Sequence, residues 1–400
     1  MTLTLLAFAG LFIWLYLIVF HGGFWRLTER DGRFAPPGAP APEGVTVTAI
    51  IPARDEADVI GQCLSSLLAQ EFSGKLDIVL VDDQSGDGTA EIARARAAFE
   101  GAADRLTVLT SNGPASGWTG KLAAMQRGFD HVLGLPMLPD FVLFCDADIA
   151  FGPMALEHLA TGALARKTVL ASLMVKLRCE SRAERWFVPA FVFFFQKLYP
   201  FSRVNDPKSR AAAAAGGVML VRPEALARAG GLVAIRGALI DDCALGALMK
   251  RQGPIRLGLT DAVHSLRPYP GFKDIERMVT RSAYAQLSYS PPRLFGAVLG
   301  MILVYLSPPL IALLGEPPAR DAALVAYLLM VQAYIPSLRF YNLPRAYALA
   351  LPLVAACYTW FTLESARQHM LGRGGAWKGR YQAPERVFRR SERRFEDENA

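Results

Sequence analysis

Leu76–Ala98 reads LDIVLVDDQSGDGTAEIARARAA, a β-branched and aliphatic run, then an acidic Gly-containing turn, then an alternation of helical period. A short apolar run closed by such a turn is the mark of a buried strand feeding a helix. The same passage occurs before and after it, in Val45–Gln70 (VTVTAIIPARDEADVIGQCLSSLLAQ) and Asp140–Ala160 (DFVLFCDADIAFGPMALEHLA). Strands alternating with helices predict an α/β fold built on a parallel sheet covered on both faces. In such sheets the polar residues just past the strand C-termini collect along one edge, where ligands bind.

The candidate functional residues all fall at those strand ends. Pro52-Ala53-Arg54-Asp55-Glu56 follows the strand VTAII and reads as a polar strand-to-helix turn, with Asp55 near a helix N-terminus. Asp82 and Asp83 close the next strand. Adjacent carboxylates repel unless something binds them or one caps the following helix, and a nucleotide base or ribose can hydrogen-bond to them. In Asp146-Ala147-Asp148 the acids stand two apart, so both can face one hard cation, and a leaving diphosphate requires such a cation. Ser116-Gly117-Trp118-Thr119-Gly120-Lys121 is a Gly-flanked turn whose amides and lysine suit a phosphate or sugar, or a solvated loop. Ala215-Gly216-Gly217-Val218-Met219-Leu220 gives a close backbone approach followed by a strand. Asp241 and Asp242 open a later helix, where one can take a proton from an attacking hydroxyl or cap the helix.

Hydrophobic residues make up 52% of the 400, and they concentrate at the two ends. Leu3–Phe20 carries no charge, approaches the ~20 residues that cross a bilayer, and lacks a convincing cleavage site, so an uncleaved anchor is expected. Arg26, Arg30 and Arg33 follow it and place its C-terminal end in the cytoplasm. Pro36, Pro37, Pro40 and Pro42 then mark a stiff linker. Three further apolar stretches are Leu294–Leu314, Ala322–Ile335 and Ala346–Leu363. Three crossings would leave outside a tail rich in arginine, among them Arg367, Arg373, Arg380 and Arg394. An even number is therefore expected, with the Pro308-Pro309-broken first stretch or the short second one as the exception. Trp186–Tyr199, rich in Phe and preceded by Arg182 and Arg185, reads either as an element in the headgroup region or as a core helix. The net charge of +7 comes without any nucleic-acid-binding signature and is read as membrane-surface charge. The five cysteines lack metal-ligand spacing, which excludes zinc and a disulfide framework.

Taken in order, P-A-R-D-E, V-D-D-Q-S-G-D-G-T, G-W-T-G-K, D-A-D, G-G-V-M and I-D-D resemble the motifs of family 2 glycosyltransferases of the GT-A fold, from about Val45 to Tyr284. Within that family the chain looks most like hopanoid-biosynthesis-associated membrane glycosyltransferases and, more distantly, like ceramide glucosyltransferases. The resemblance implies a Rossmann-like, nucleotide-diphospho-sugar transferase domain at residues 45–285. Around it would stand an anchor (1–24), the Pro-rich linker (25–44), membrane segments (286–365) and a basic cytoplasmic tail (366–400). It implies that Pro52, Arg54, Asp55, Glu56, Asp82, Asp83, Lys121, Asp146 and Arg281 bind the nucleotide sugar, a UDP-sugar. Asp148, helped by Asp146, would hold Mg²⁺ or Mn²⁺, and Asp242 would be the base with Asp241 beside it. The expected activity is inverting transfer to a lipid hydroxyl, on the cytoplasmic face of the inner membrane, by a multi-pass protein. The alternatives are a polysaccharide synthase and a non-catalytic nucleotide-sugar-binding membrane protein. The Q/R-x-x-R-W signature of processive and sphingolipid relatives is reduced here to Arg281 within Met278–Tyr284.

Overall fold

The computed structural model describes residues Thr2–Gly375, so most of the basic tail, from residue 376 on, lies outside the described residues. The described residues divide into two units: one of His21–Glu180 and Phe191–Pro268, the other of residues 2–20, Ser181–Ala190 and residues 269–375. The first is built on a sheet and the second on helices. In chain order, α1 (Thr2–Val19) belongs to the helical unit. The sheet unit then runs β1 (Thr46–Ala53), α2 (Ile60–Leu68), β2 (Lys75–Asp82), α3 (Thr89–Phe99), β3 (Leu106–Thr110), α4 (Gly120–Leu133), β4 (Phe141–Cys145), β5 (Ile149–Phe151), α5 (Ala155–Ala165) and β6 (Leu170–Lys176). Helix α6 (Arg182–Leu198) begins in the helical unit and ends in the sheet unit. There follow α7 (Phe201–Asn205), β7 (Val218–Val221), α8 (Pro223–Arg228), α9 (Asp241–Lys250) and β8 (Ile255–Ser265).

The eight strands lie in the order β3-β2-β1-β4-β7-β6-β8-β5. Strands β1 to β4 pair in parallel, as the strand–turn–helix passages predict. The sheet is nonetheless mixed: β7 runs antiparallel to β4 and β6, and β5 antiparallel to β8. Val218–Val221 and Ile149–Phe151 are short apolar runs with no crossover helix on the pattern of the first strands, so their direction was not legible. Because β6 and β8 pair in parallel, the C-terminal end of β8 shares its edge with those of β1, β2 and β4.

Ile51, Leu80 and Leu143 on one sheet face pack with Ile60 and Leu64 of α2 and Leu156 of α5 in a fully buried core. On the other face α4 crosses so closely that a Cβ at Gly128 would stand 2.5 Å from Ile50 Cγ2. Phe34, in the segment expected as a linker, is 1% exposed and inserts against Gly162 and Gly258, with its carbonyl accepting from Arg166 Nε at 2.6 Å. An aromatic at the start of the proline-rich stretch thus packs into the sheet unit, and the stretch itself runs through turns closed by hydrogen bonds of 3.1 Å from the Ala39 amide to Pro36 O and from the Val45 amide to Pro42 O.

The helical unit continues with α10 (Phe272–Thr280), α11 (Ala283–Gln286), α12 (Pro291–Met301), α13 (Ser307–Leu314), α14 (Ala319–Phe340) and α15 (Leu351–Met370). A π-helical turn, Ile302–Leu306, joins α12 to α13, so the stretch is continuous where Pro308-Pro309 suggested a break. Proline is tolerated in the first turn of α13, and the widened turn leaves the Val304 carbonyl to accept from Trp14 Nε1 at 2.8 Å. The second apolar stretch is also longer than its composition suggests. Arg320, Asp321 and Arg339 are helical, giving 22 residues in α14. Among the described residues, four helices are long and apolar enough to cross a membrane: Thr2–Val19, Pro291–Leu314, Ala319–Phe340 and Arg345–Met370. In α6, Phe187–Ala190, Val192 and Phe193 are buried while Arg182, Arg185 and Trp186 are exposed. The helix is therefore amphipathic, part core and part surface.

Candidate active site

The parallel register brings the ends of β1 and β2 level, with Ala53 opposite Asp82. Strand β1 therefore includes Pro52, buried in the sheet, and the polar turn starts at Arg54. The Asp83 amide donates to Ala53 O at 2.8 Å, and Arg54 Nη1 donates to Asp83 O at 2.5 Å. The same guanidinium stands 3.9 Å from the Asp83 carboxylate, which is completely buried, so the repulsion between Asp82 and Asp83 is offset by a cation from the neighbouring turn. Asp55, at φ 50°, turns its amide to Ser85 Oγ at 3.0 Å and accepts from the Gly86 amide at 2.9 Å. Asp87 ties the two turns again, accepting from the Ala57 amide at 3.0 Å. Arg54, Asp55, Asp82 and Asp83 thus form one preorganised acidic rim.

A second group of charges surrounds the end of β4. Asp146 and Asp148 flank Ala147 in the turn between β4 and β5. Lys121, in the first turn of α4, reaches Asp146 Oδ1 at 2.7 Å and Asp241 Oδ2 at 3.0 Å. Burial alone would lower the pKa of this lysine, but Asp146 and Asp241 outweigh it and hold the ammonium well above the ordinary lysine value. The Asp146 carboxyl is itself pushed up by burial, against the pull of Lys121 and with the push of Asp148 and Asp241. Asp242 lies at the start of α9. Its Oδ2 accepts from the Gly216 amide at 3.0 Å and its Oδ1 from the Cys243 amide at 2.7 Å. Burial, and then the adjacent Asp241, push its pKa up to about 6. The approach is close: a Cβ at Gly216 would stand 3.3 Å from Lys121 Nζ and 3.5 Å from Asp242 Oδ2.

Arg267 was not singled out from the sequence. It follows β8 by two residues, and its guanidinium bridges Glu56 Oε2 at 2.6 Å and Asp148 Oδ2 at 2.9 Å. Burial would lower its pKa, but Asp148 and Glu56 together raise it. The signal available was its place just beyond a strand, by the same rule that found the others; IRLGLTDAVHS was not recognised as that strand. Arg267 links the acidic rim, through Glu56, to the group around Asp146 and Asp148. Of the residues named from the sequence, Pro52, Arg54, Asp55, Glu56, Asp82, Asp83, Asp146 and Asp148 lie in the sheet unit at or just past the ends of β1, β2 and β4, whereas Lys121, Asp241 and Asp242 lie in the first turns of α4 and α9 of the same unit. Arg281 falls in the helical unit, one residue beyond α10.

Four acids (Glu56, Asp146, Asp148 and Asp241) share two cations, Lys121 and Arg267, and Asp242 adds a fifth carboxylate beside Asp241. Such a surplus of hard oxygen donors suits a divalent cation that keeps water and substrate phosphate oxygens as its remaining ligands. Among the described residues no group of three or more His, Cys, Asp or Glu is arranged to hold a metal by itself. The donor set therefore fits a metal completed by a diphosphate, and not a closed protein cage.

A family model described as "Glycosyltransferase like family 2" matches residues 42–269. The undecaprenyl-phosphate 4-deoxy-4-formamido-L-arabinose transferase of Edwardsiella ictaluri is 29% identical over 143 residues, 35% of this chain and 39% of that one. The 4,4'-diaponeurosporenoate glycosyltransferase of Staphylococcus aureus is 34% identical over 107 residues, 26% of this chain and 24% of that one. The match thus spans two fifths or less of the length of these curated relatives. Among solved structures, the mannosyltransferase PcManGT from Pyrobaculum calidifontis, in complex with GDP-Man and Mn²⁺, superposes with a TM-score of 0.51. That likeness covers 92% of this chain and 98% of that one at 19% identity, a likeness of fold.

Proposed function

The chain belongs to the glycosyltransferase-like family 2, and on that premise we propose that it transfers a sugar, with inversion, from a nucleotide diphospho-sugar to an oxygen of a lipid acceptor at a membrane surface. One observation carries the reading: an acidic rim and a carboxylate pair suited to a divalent cation lie at the ends of adjacent strands, joined by Glu56 and Arg267, with a buried carboxylate of raised pKa beside them.

The rim of Arg54, Asp55, Asp82 and Asp83 would receive the base and ribose of the donor, a UDP-sugar in this reading, through its carboxylate acceptors. Asp146 and Asp148 would hold Mg²⁺ or Mn²⁺, which when bound neutralises charge on the departing diphosphate. Asp241 is committed to Lys121, whereas Asp242 receives two backbone amides and no side-chain cation. Asp242 is therefore assigned as the base. The acceptor oxygen forms its bond to the anomeric carbon as the bond to the diphosphate breaks. The bonding pair leaves with the nucleoside diphosphate, and the acceptor proton passes to Asp242. Attack from the side opposite the leaving group inverts the anomeric centre, so an α-linked donor gives a β-glycoside.

A lipid acceptor is favoured by the four helices able to meet a bilayer and by the acceptors named for the two curated relatives. A hopanoid is one candidate within that class, and the cytoplasmic face of the inner membrane is the expected location. Asp148→Asn and Asp242→Asn should each abolish transfer while leaving the protein in the membrane fraction. Full activity in both variants would refute the assignment.

A further inference from the structure

The chain enters its C-terminal apolar region and leaves it at the same place. Tyr289, just before α12, stacks on His369 near the end of α15, with ring centroids 4.3 Å apart and planes 19° apart. Tyr284 meets the same histidine edge-on at 5.4 Å. Ser365 Oγ donates to Thr280 O at 2.5 Å and accepts from the Tyr284 amide at 3.0 Å. Whatever side of a bilayer holds α10 and α11 therefore also holds the end of α15, and the crossings between them must be even in number.

The other end of this last stretch, residues 345–370, is on that side too. Tyr347 packs on Trp186 with ring centroids 5.2 Å apart. Trp186 lies in the first turns of α6, between exposed Arg182 and Arg185 and the start of α10. Phe187 contacts Phe272 at 5.5 Å, and Glu184 accepts from the Tyr269 amide at 2.6 Å. From Phe272 to Gln286 the chain is two short helices carrying Lys273, Asp274, Glu276 and Arg277. Helices of that length and charge do not traverse the ~30 Å of a hydrocarbon core. Tyr347 and His369, at the two ends of the stretch, thus both touch one interfacial layer.

We propose that residues 345–370 lie along the membrane surface instead of crossing it, so that the chain crosses three times, by α1, by α12 with α13, and by α14. The occupant of the outer face of α15 is then lipid. Leu353, Trp360 and Leu363 are exposed on one side of the helix, while Val354, Tyr358, Phe361 and Ser365 are buried on the other. An apolar outer face continuous with membrane helices is the pattern of an interfacial helix.

The packing of the three crossing helices agrees. Ala7 near the start of α1 clusters with Ile311 at the end of α13 and with Ala319, Ala322 and Ala323 at the start of α14, so these ends share one side. Trp14, farther along α1, contacts Tyr305 at 5.6 Å, earlier in the antiparallel partner. Charges follow the same division. The turn between α13 and α14 carries Glu316, Arg320 and Asp321, whereas Arg293, Arg339, Arg345 and Arg367 all fall at ends assigned to the opposite side. Four of these five arginines fall on one side, and the single arginine on the other, Arg320, stands with two acids, which agrees with the positive-inside tendency. The sequence had pointed to the first or second stretch as the exception; the contacts of Tyr347 and His369 point to the third.

The proposal rests on the reading that these helices meet a bilayer, and it is independent of the transfer reaction. Its test uses the full chain with Glu316→Cys, Ala346→Cys or Arg373→Cys and a membrane-impermeant maleimide, applied to intact cells and to permeabilised cells, with the unsubstituted chain as background. Glu316→Cys should label fully in intact cells. Ala346→Cys and Arg373→Cys should label above background only after permeabilisation. Labelling of Arg373→Cys in intact cells, with Ala346→Cys protected, would mean that the stretch crosses. Labelling of both, or protection of Glu316→Cys, would also overturn the three-crossing arrangement. Extraction of the whole protein by alkaline carbonate would remove the bilayer premise, whereas loss of transfer with this labelling pattern intact would count only against the proposed reaction.

Discussion

Asp242 accepts two backbone amides and has no lysine of its own, and burial with the neighbouring Asp241 raises its carboxyl to about 6. A base must be ionised to accept a proton, so kcat should be level above that pH and fall roughly tenfold per unit below it. In Asp242→Asn the residual rate should drop by about 10²–10⁴-fold and lose that acid limb. A pH profile of labelled-sugar transfer checks both. Arg267 makes a different prediction. Replacing it by Met leaves Glu56 and Asp148 facing each other without their shared cation, at a cost of about 1–3 kcal/mol, since the guanidinium is partly solvated. Thermal unfolding should show a lower Tm for Arg267→Met, and Mn²⁺ should recover more of it than in the unsubstituted protein; an unchanged Tm in both conditions would remove Arg267 from the site. The acids of this site were legible because carboxylates at strand ends are conspicuous. Their cations were less so. Lys121, in a turn that suits a phosphate or sugar, spans two carboxylates that no local pattern connects to it, and Arg267 gains meaning only from the position of β8.

At the scale of elements, the three strand–turn–helix passages stated the parallel half of the sheet because each contains its own turn chemistry and period change. The antiparallel half depends on pairing between segments far apart in sequence, which a local pattern does not encode. Close packing in the sheet unit is equally non-local. Gly128 reads as an ordinary helical glycine, yet α4 lies against Ile50 and Val81 with no room for a Cβ. Gly128→Val should therefore cost about 1–3 kcal/mol through overpacking and, by lifting α4, displace Lys121 from Asp146. Denaturant unfolding measures the first effect, and a fall in transfer larger than the stability change explains would report the second. Helix α14 shows the reverse limitation. Its polar ends hid about three residues at the N-terminus and about five at the C-terminus from a hydropathy reading, because Arg320, Asp321 and Arg339 are compatible with helix while interrupting an apolar run.

At the scale of the whole molecule, the proposed donor and base sites belong to the sheet unit, and the four described helices long and apolar enough to cross a membrane belong to the helical unit. A divalent cation is assigned to the surplus of acids around Asp146 and Asp148, so EDTA should stop transfer and excess Mn²⁺ or Mg²⁺ restore it, measured on washed membranes; EDTA-resistant transfer would show that Lys121 and Arg267 suffice to neutralise the leaving group. The central claim is that this chain moves a sugar from a nucleotide to a lipid. The most direct measurement incubates membranes containing the protein with a panel of labelled nucleotide sugars and analyses the extracted lipids by mass spectrometry, beside membranes containing Asp242→Asn. The account predicts one donor giving a lipid heavier by a single sugar, absent with the variant. Label recovered only in water-soluble polymer, or no product from any nucleotide sugar, would contradict it.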